Sequence, residues 1–189
     1  MNWDRLRPAD QSVHEAIAAG DYRRALEALV AGYQHPVVGF CTHMLGDAAL
    51  GEDVAQDVFL AAYAAMPGFH RHASVRTWLF AIARKRCLQV LRNRRRQARL
   101  ARLKQHWLAA GAHRQPPPSP EAEADSAVQR VQAGLQRLPE AERALLLMRY
   151  ELGLPLTEVA HILGTSVSSV RRRLARALRR LQEAMADDA

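Results

Sequence analysis

The sequence predicts an all-α protein: two small helical domains joined by a flexible linker, the second carrying a helix-turn-helix. Three observations predict it. Apolar residues recur at helical spacing on both sides of one break. The break, residues 113–127, packs four prolines into five positions before an acidic, alanine-rich stretch with little to bury. Two short apolar segments near the end of the chain then meet at Gly164. A chain of 189 residues can fill two modest cores, expected here over residues 1–112 and 128–189.

From Asp21 to Leu45 the helical positions are Leu26, Val30, Tyr33, Val37, Phe40, Cys41 and Met44, with a kink or a fresh start expected at Pro36. Gly46 and Asp47 supply a turn and a cap. In "GEDVAQDVFLAAYAAM" the acidic face of Glu52, Asp53, Gln56 and Asp57 opposes Val58, Phe59, Ala62 and Tyr63. Pro67 and Gly68 stop that helix, and Ser74 caps the next. The following segment, "VRTWLFAIARKRCLQVLRNRRR", offers Trp78, Leu79, Ile82, Leu88 and Leu91 to a core and turns Arg76, Arg84, Lys85, Arg92 and Arg95 outward. Helical composition persists to Leu108.

Beyond the break, Val128, Val131, Leu135 and Leu138 form one helical stripe. A helix starting near Pro139 and ending near Gly153 contributes Leu145, Leu146, Met148 and Leu152. Val159, Ile162 and Leu163 then face Val167, Val170, Leu174 and Leu178 across a tight connection, where Gly164 turns the chain and Ser166 caps the second helix.

Charge is distributed unevenly along this plan. Residues 1–57 carry nine acids and four bases, residues 58–120 thirteen bases and no acid, and residues 121–189 ten of each. The net charge of +8 therefore resides in the middle third, which favours a polyanionic partner. No apolar run is long enough to cross a membrane, and the polar, acidic start does not read as a signal peptide, so an intracellular, cytoplasmic protein without membrane insertion is expected. The two cysteines, Cys41 and Cys87, and the eight histidines show no ligand spacing, and no glycine-rich phosphate loop or nucleophile–base set is present. Neither a metal site, nor a cofactor, nor catalysis is expected.

The stretch "SSVRRRLARALRRLQ" places six arginines on the second helix of the helix-turn-helix. With Val170 and Leu174 holding that helix to its domain, Ser168, Ser169, Arg171 and Arg172 are the expected first contacts in a DNA major groove. Arg173 and Arg176 suit phosphates. A solvated helix surface would carry the same charges, and it is the preceding turn and paired helix that favour DNA.

The combined pattern resembles the extracytoplasmic-function group of bacterial RNA polymerase sigma factors, over roughly residues 20–96 and 138–185. "GEDVAQDVFL" is similar to the family's acidic polymerase-binding helix, "VRTWLFAIARKRCLQVLRNRRR" to its promoter-opening helix, and "LPEAERALLLMRYELGLPLTEVAHILGTSVSSVRRRLARAL" to its second conserved domain. The resemblance implies that the chain binds RNA polymerase core through Glu52, Asp53, Gln56 and Asp57. It implies minus-10 DNA recognition by Phe69, His70, Arg71, Ser74, Arg76, Trp78, Arg84, Lys85, Arg92 and Arg95. Minus-35 DNA falls to Ser168, Ser169, Arg171, Arg172, Arg173 and Arg176. An anti-sigma factor is implied as a further partner. Lys85 and Gln89 stand where family members often carry asparagine and aspartate, and Ser168 and Ser169 where glycine and threonine are frequent. The alternative from the residues alone is a stand-alone helix-turn-helix regulator.

Overall fold

The computed structural model describes residues 7–69, 74–108 and 127–186. Eight α-helices occupy them: α1 Arg7–Ala18, α2 Tyr22–Leu45, α3 Ala48–Ala65, α4 Val75–Leu108, α5 Ala127–Arg137, α6 Glu140–Leu146, α7 Leu156–Leu163 and α8 Val167–Ala186. A 3-10 turn, Met66–Gly68, follows α3, and α6 continues into a π turn, Leu147–Glu151.

The first group of helices is built on α2. Its N-cap Asp21 accepts from the amide of Arg24, and at its end Gly46 takes a left-handed φ of 71°. Asp47 then caps α3 by accepting from the amide of Leu50. The expected turn and cap are both present. Pro36, however, does not start a new helix: α2 runs through it, and the ring is buried among Tyr33, Val37 and Phe40. Packing around the ring offsets the hydrogen bond that proline cannot donate. Helix α1 was not among the expected elements. Its apolar positions, Val13, Ala16 and Ile17, are few, and it is the packing of Val13 and Ala16 into the core that stabilises it.

Helix α3 crosses α2 closely at Gly51, where a Cβ would come within 2.8 Å of the Thr42 backbone. Helix α4 closes the group with Val75, Leu79, Phe80, Ala83 and Cys87. Phe80 meets Phe40 and Tyr33 edge-on, at centroid separations of 5.7 and 6.4 Å, an arrangement worth about 0.5–1.5 kcal/mol per pair beyond burial. Trp78, Ile82, Leu88 and Leu91, expected in the core, are only partly buried at its margin. Tyr63, expected inward, is exposed, because the inward register of α3 ends at Ala62 and Met66.

In the second group Leu145, Leu146, Met148 and Leu152 are buried as expected. Val159 on α7 and Val170 on α8 lock the helix-turn-helix, Gly164 adopts a left-handed φ of 59°, and Ser166 accepts from the amide of Ser169 at 3.2 Å. Val131 leaves the expected stripe and lies exposed, and the side chain of Val128 falls outside the described residues.

The two groups are docked against each other, and a continuous set of buried residues runs through both. The carbonyls at the C-terminal end of α2, which have no partner within the helix, are taken up from the other group. Gln136 donates to His43 O at 2.7 Å, and Arg143 donates to Met44 O. The expected linker lies almost wholly outside the described residues.

Candidate polymerase and nucleic-acid interfaces

Three surfaces carry the residues singled out by the sequence. The first lies between α2 and α3. Glu52, Asp53, Gln56 and Asp57 are all exposed, as expected of a partner-facing helix side. Glu52 and Gln56 border an open groove of about 820 Å³, whose floor is Leu26, Val30, Val38 and Phe59. Asp53 and Asp57, one position further round the helix, are not among its lining residues. Leu60 projects at the groove's edge with 65% of its surface exposed. It was not among the expected contacts, although its spacing of four residues from Gln56 puts both on one side of α3. An apolar floor with an acidic rim suits a protein partner that presents both apolar and basic groups.

The second surface is the start of α4. Ser74 caps this helix as expected, accepting from the amide of Thr77 at 3.1 Å, and its hydroxyl meets that of Thr77 at 2.7 Å. Phe69 and Trp78 pack together with ring centroids 4.7 Å apart, and His14 stacks on Phe69 at 5.6 Å. Both aromatic side chains are partly buried, so they form one shelf with an open edge. His70 and Arg71 lie outside the described residues.

Two basic residues expected to face outward do not. Arg76 is largely covered and reaches Glu158 on α7 at 3.3 Å. Arg84 is half-buried; burial, with Arg92 adding repulsion, draws its pKa below the usual guanidinium value. Its Nε has no protein partner. In both cases the cause is the second helical group, which covers this side of α4. Lys85 and Arg92 remain exposed, the latter donating from Nε to the carbonyl of Leu88. Arg95 is exposed but paired with Glu140 at 2.7 Å.

A polar cluster that the sequence did not reveal connects this surface inward. Tyr33 donates to Asp10, and burial raises the carboxyl pKa of Asp10 above its ordinary value. Thr77, buried at the third position of α4, donates to Glu158 at 2.5 Å. Thr77 and Glu158 are 81 residues apart, so helical spacing within either segment carries no sign of their meeting.

The third surface is α8. Val170 and Ala177 face inward, whereas Arg171, Arg172, Arg173 and Arg176 are exposed on the N-terminal half of the helix. Ser168 is exposed and within 3.0 Å of the cap hydroxyl of Ser166; Ser169 is half-buried. Arg173 and Arg176 also line a small cleft with Arg84 and Glu142. Among the described residues no group of histidine, cysteine or acidic side chains has the arrangement of a metal site, and no helix is long and apolar enough to cross a membrane. Cys41 and Cys87, read from the sequence as lying in unrelated helical contexts, are both buried in the core, close enough for Cys87 to raise the pKa of the Cys41 thiol.

Comparison with known proteins gives these surfaces a common origin. Residues 29–97 match the family model for Sigma-70 region 2, and residues 129–181 that for Sigma-70 region 4. The RNA polymerase sigma-H factor of Pseudomonas aeruginosa is 32% identical, with 93% of each chain covered. The ECF RNA polymerase sigma factor SigC of Mycobacterium tuberculosis is 32% identical over 85% of this chain and 83% of its own. Among solved structures, CnrH in complex with the cytosolic domain of CnrY superposes with a TM-score of 0.70 at 26% identity, covering 96% of this chain and 99% of that one. The sigma factor RpoE of Bartonella quintana, solved in complex with the anti-sigma factor NepR, shares the fold with a TM-score of 0.66 at 20% identity, covering 86% and 98%. An acidic-rimmed groove in a region 2 unit, a basic helix after it and an arginine-covered helix-turn-helix in a region 4 unit thus occur in family order, and the chain belongs to the extracytoplasmic-function RNA polymerase sigma factors, which direct the polymerase to specific promoters.

Proposed function

We propose that this chain divides promoter recognition between its two helical units and leaves the chemistry to the polymerase. The groove bordered by Glu52 and Gln56, with Leu60 at its edge and Asp53 and Asp57 beside it, holds RNA polymerase core. Charge complementarity orients that encounter, and the apolar floor supplies most of the holding energy. The start of α4 captures the opened minus-10 strand: the Phe69–Trp78 shelf offers a stacking edge, and Lys85, Arg92 and Arg95 offer positive charge to phosphates. A base that leaves the duplex loses its stacking, and the shelf restores part of it. The N-terminal half of α8 enters duplex minus-35 DNA, with Ser168, Ser169, Arg171 and Arg172 toward base edges and Arg173 and Arg176 toward phosphates. Promoter opening is driven by tighter binding to the separated strand than to the duplex.

The observation that carries this reading is the placement of the α8 arginines. Val170 and Ala177 fix the helix by one side while its N-terminal half presents Arg171 and Arg172 to solvent, the presentation a recognition helix requires. Two of the similar solved structures are complexes with a protein partner, one of them named as an anti-sigma factor. An inhibitor of that kind would act on this chain by covering the α2–α3 groove or the α8 surface.

Reconstituted transcription tests the division of labour. Bacterial core polymerase, fragmented genomic DNA and this chain are expected to yield new RNA starts that share two upstream elements, and core polymerase alone none of them. Selective promoter binding by the chain without polymerase would instead favour a stand-alone regulator.

A further inference from the structure

A small cleft of about 230 Å³ opens where α4, α6 and α8 meet beside the end of α7. Arg84 of α4 and Arg173 and Arg176 of α8 line it, with Glu142 of α6 as the one acid and Leu145 and Leu163 as its apolar wall. Three guanidinium groups thus share one carboxylate, and that carboxylate is already engaged: Glu142 Oε1 takes Arg180, which is outside the lining, at 2.9 Å. Among the described residues none of the three arginines is in an ion pair. Two atoms of the lining residues are also wholly covered and unmet, the donor Nε of Arg84 and the acceptor Oε2 of Glu142. They do not bond each other. Buried polar atoms are rarely left without partners, and a pair of opposite type in one cleft specifies what would satisfy both. The molecule must bring negative charge, several acceptors for guanidinium N–H groups, and one proton to give to Glu142.

A phosphate that retains a P–OH has that inventory. Sulfate has the oxygens without the proton, and the phosphodiesters of DNA have none to give either, so both would leave Oε2 unmet and set it against an anionic oxygen. Size points the same way, because pockets that enclose larger organic ligands begin at about 300 Å³. We infer that the α4–α6–α8 cleft is a binding site for free hydrogen phosphate, with Arg84, Arg173 and Arg176 holding its oxygens and Glu142 accepting from its P–OH. Leu145 and Leu163 exclude water from one side, which strengthens each of these bonds. A site whose covered acceptor requires a donor rejects an analogue that lacks one, even where the two carry the same charge. The site is therefore distinct from the surfaces read above as contacts for DNA, although it draws on two of the same arginines.

Isothermal titration calorimetry on the full chain, in a chloride buffer at constant ionic strength, tests the site. At about pH 8 inorganic phosphate keeps one P–OH, whereas methyl phosphate, whose last proton leaves at about pH 6, does not. Inorganic phosphate should bind saturably at one site, with sulfate and methyl phosphate about tenfold to a hundredfold weaker, the worth of one hydrogen bond to a charged group. Arg84→Met, which keeps the apolar stem, should weaken phosphate binding by about tenfold or more, with circular dichroism confirming that the chain stays helical. Glu142→Gln is the sharper variant. Its amide can donate to sulfate as readily as accept from phosphate, so sulfate should rise to the affinity of phosphate, a gain that misfolding cannot imitate. Glu183→Gln, which removes the same charge from an exposed position, should leave the preference unchanged. Equal binding of phosphate and sulfate by the unmodified chain would reduce the cleft to unselective anion attraction and overturn the assignment. A sulfate affinity unmoved by Glu142→Gln would remove Glu142 from the site, and absence of saturable phosphate binding would mean that water meets Arg84 and Glu142 instead. Methyl phosphate binding as tightly as inorganic phosphate at about pH 5.5, where it regains its P–OH, would replace the free anion by a phosphomonoester as the ligand. Polymerase and promoter DNA enter none of these titrations, so their outcome is independent of the transcription assay.

Discussion

Arg143 of α6 donates a hydrogen bond to the carbonyl of Met44 at the end of α2, across 99 residues of sequence. The same guanidinium donates to the carbonyls of Leu135 at 2.8 Å and Gln136 at 2.7 Å, and the residue is 5% exposed. Burial lowers its pKa from the ordinary guanidinium value, yet it retains its charge, and its fork gathers carbonyls from the ends of two helices, α2 and α5. Arg143→Ala removes every one of these donors at once. With buried acceptors costing about 1–3 kcal/mol each when left unmet, a loss of roughly 3 kcal/mol or more is expected in urea denaturation. Arg143→Lys should recover only part of it, since one ammonium cannot copy the fork. A loss under about 1 kcal/mol for the alanine variant would mean that water replaces the guanidinium at no great cost.

Gly51 lets α3 approach α2. Its missing Cβ would stand 2.3 Å from the Thr42 hydroxyl and 2.7 Å from the Thr42 Cα. The hydroxyl can rotate away, but the backbone cannot. Gly51→Ala should therefore lower stability by roughly 1–3 kcal/mol despite the higher helix propensity of alanine. It should also weaken polymerase binding, because Glu52 and Gln56 ride on the helix it displaces. A stabilised variant in thermal melting would show that α3 can shift without strain.

His43 gives the junction a pH dependence with a definite sign. The carboxylate of Glu151 raises its pKa above the ordinary value of 6.5, against an opposing effect of burial. Stability from a raised pKa is fully present below the unfolded value and is lost as pH rises through the folded one. The advantage of the unmodified chain over Glu151→Gln should be greatest below about pH 6.5 and shrink above the raised His43 value. Denaturation midpoints of the two proteins across pH 5.5–9 measure it, and an advantage that grew with pH would reverse the assignment.

Cys41 and Cys87 are both fully buried, and interaction with Cys87, together with burial, pushes the Cys41 thiol pKa far upward. The thiolate is the reactive form, which the raised pKa denies to Cys41, and burial keeps reagent from either side chain, so both should resist a thiol reagent in the native protein and react together on unfolding. Rapid native labelling of either would reveal a local opening of α2 from α4.

Arg171→Ala with Arg172→Ala should weaken minus-35-dependent initiation by roughly tenfold or more and reduce its dependence on salt. Glu52→Ala with Asp53→Ala should instead reduce binding to core polymerase while sparing duplex DNA. Initiation assays and polymerase pull-downs read the two pairs separately, and interchanged effects would exchange the two surfaces.

The sequence by itself determined the helices that are strongly periodic or punctuated. Gly46, Asp47, Ser74, Gly164 and Ser166 act on their immediate neighbours, and each turns or caps the chain as read. The α8 arginines and the acidic side of α3 were legible for the same reason, since residues three and four apart share a helix side whatever lies opposite. What only the tertiary structure decided is which charges meet. Arg76 and Arg84 are covered, Thr77 and Glu158 are joined, and Arg143 reaches Met44, because α6 and α7 dock on α2 and α4. Such contacts depend on how whole helices pack, a property of many side chains at once, and hydrophobic spacing along one segment carries no record of the segment that will lie against it.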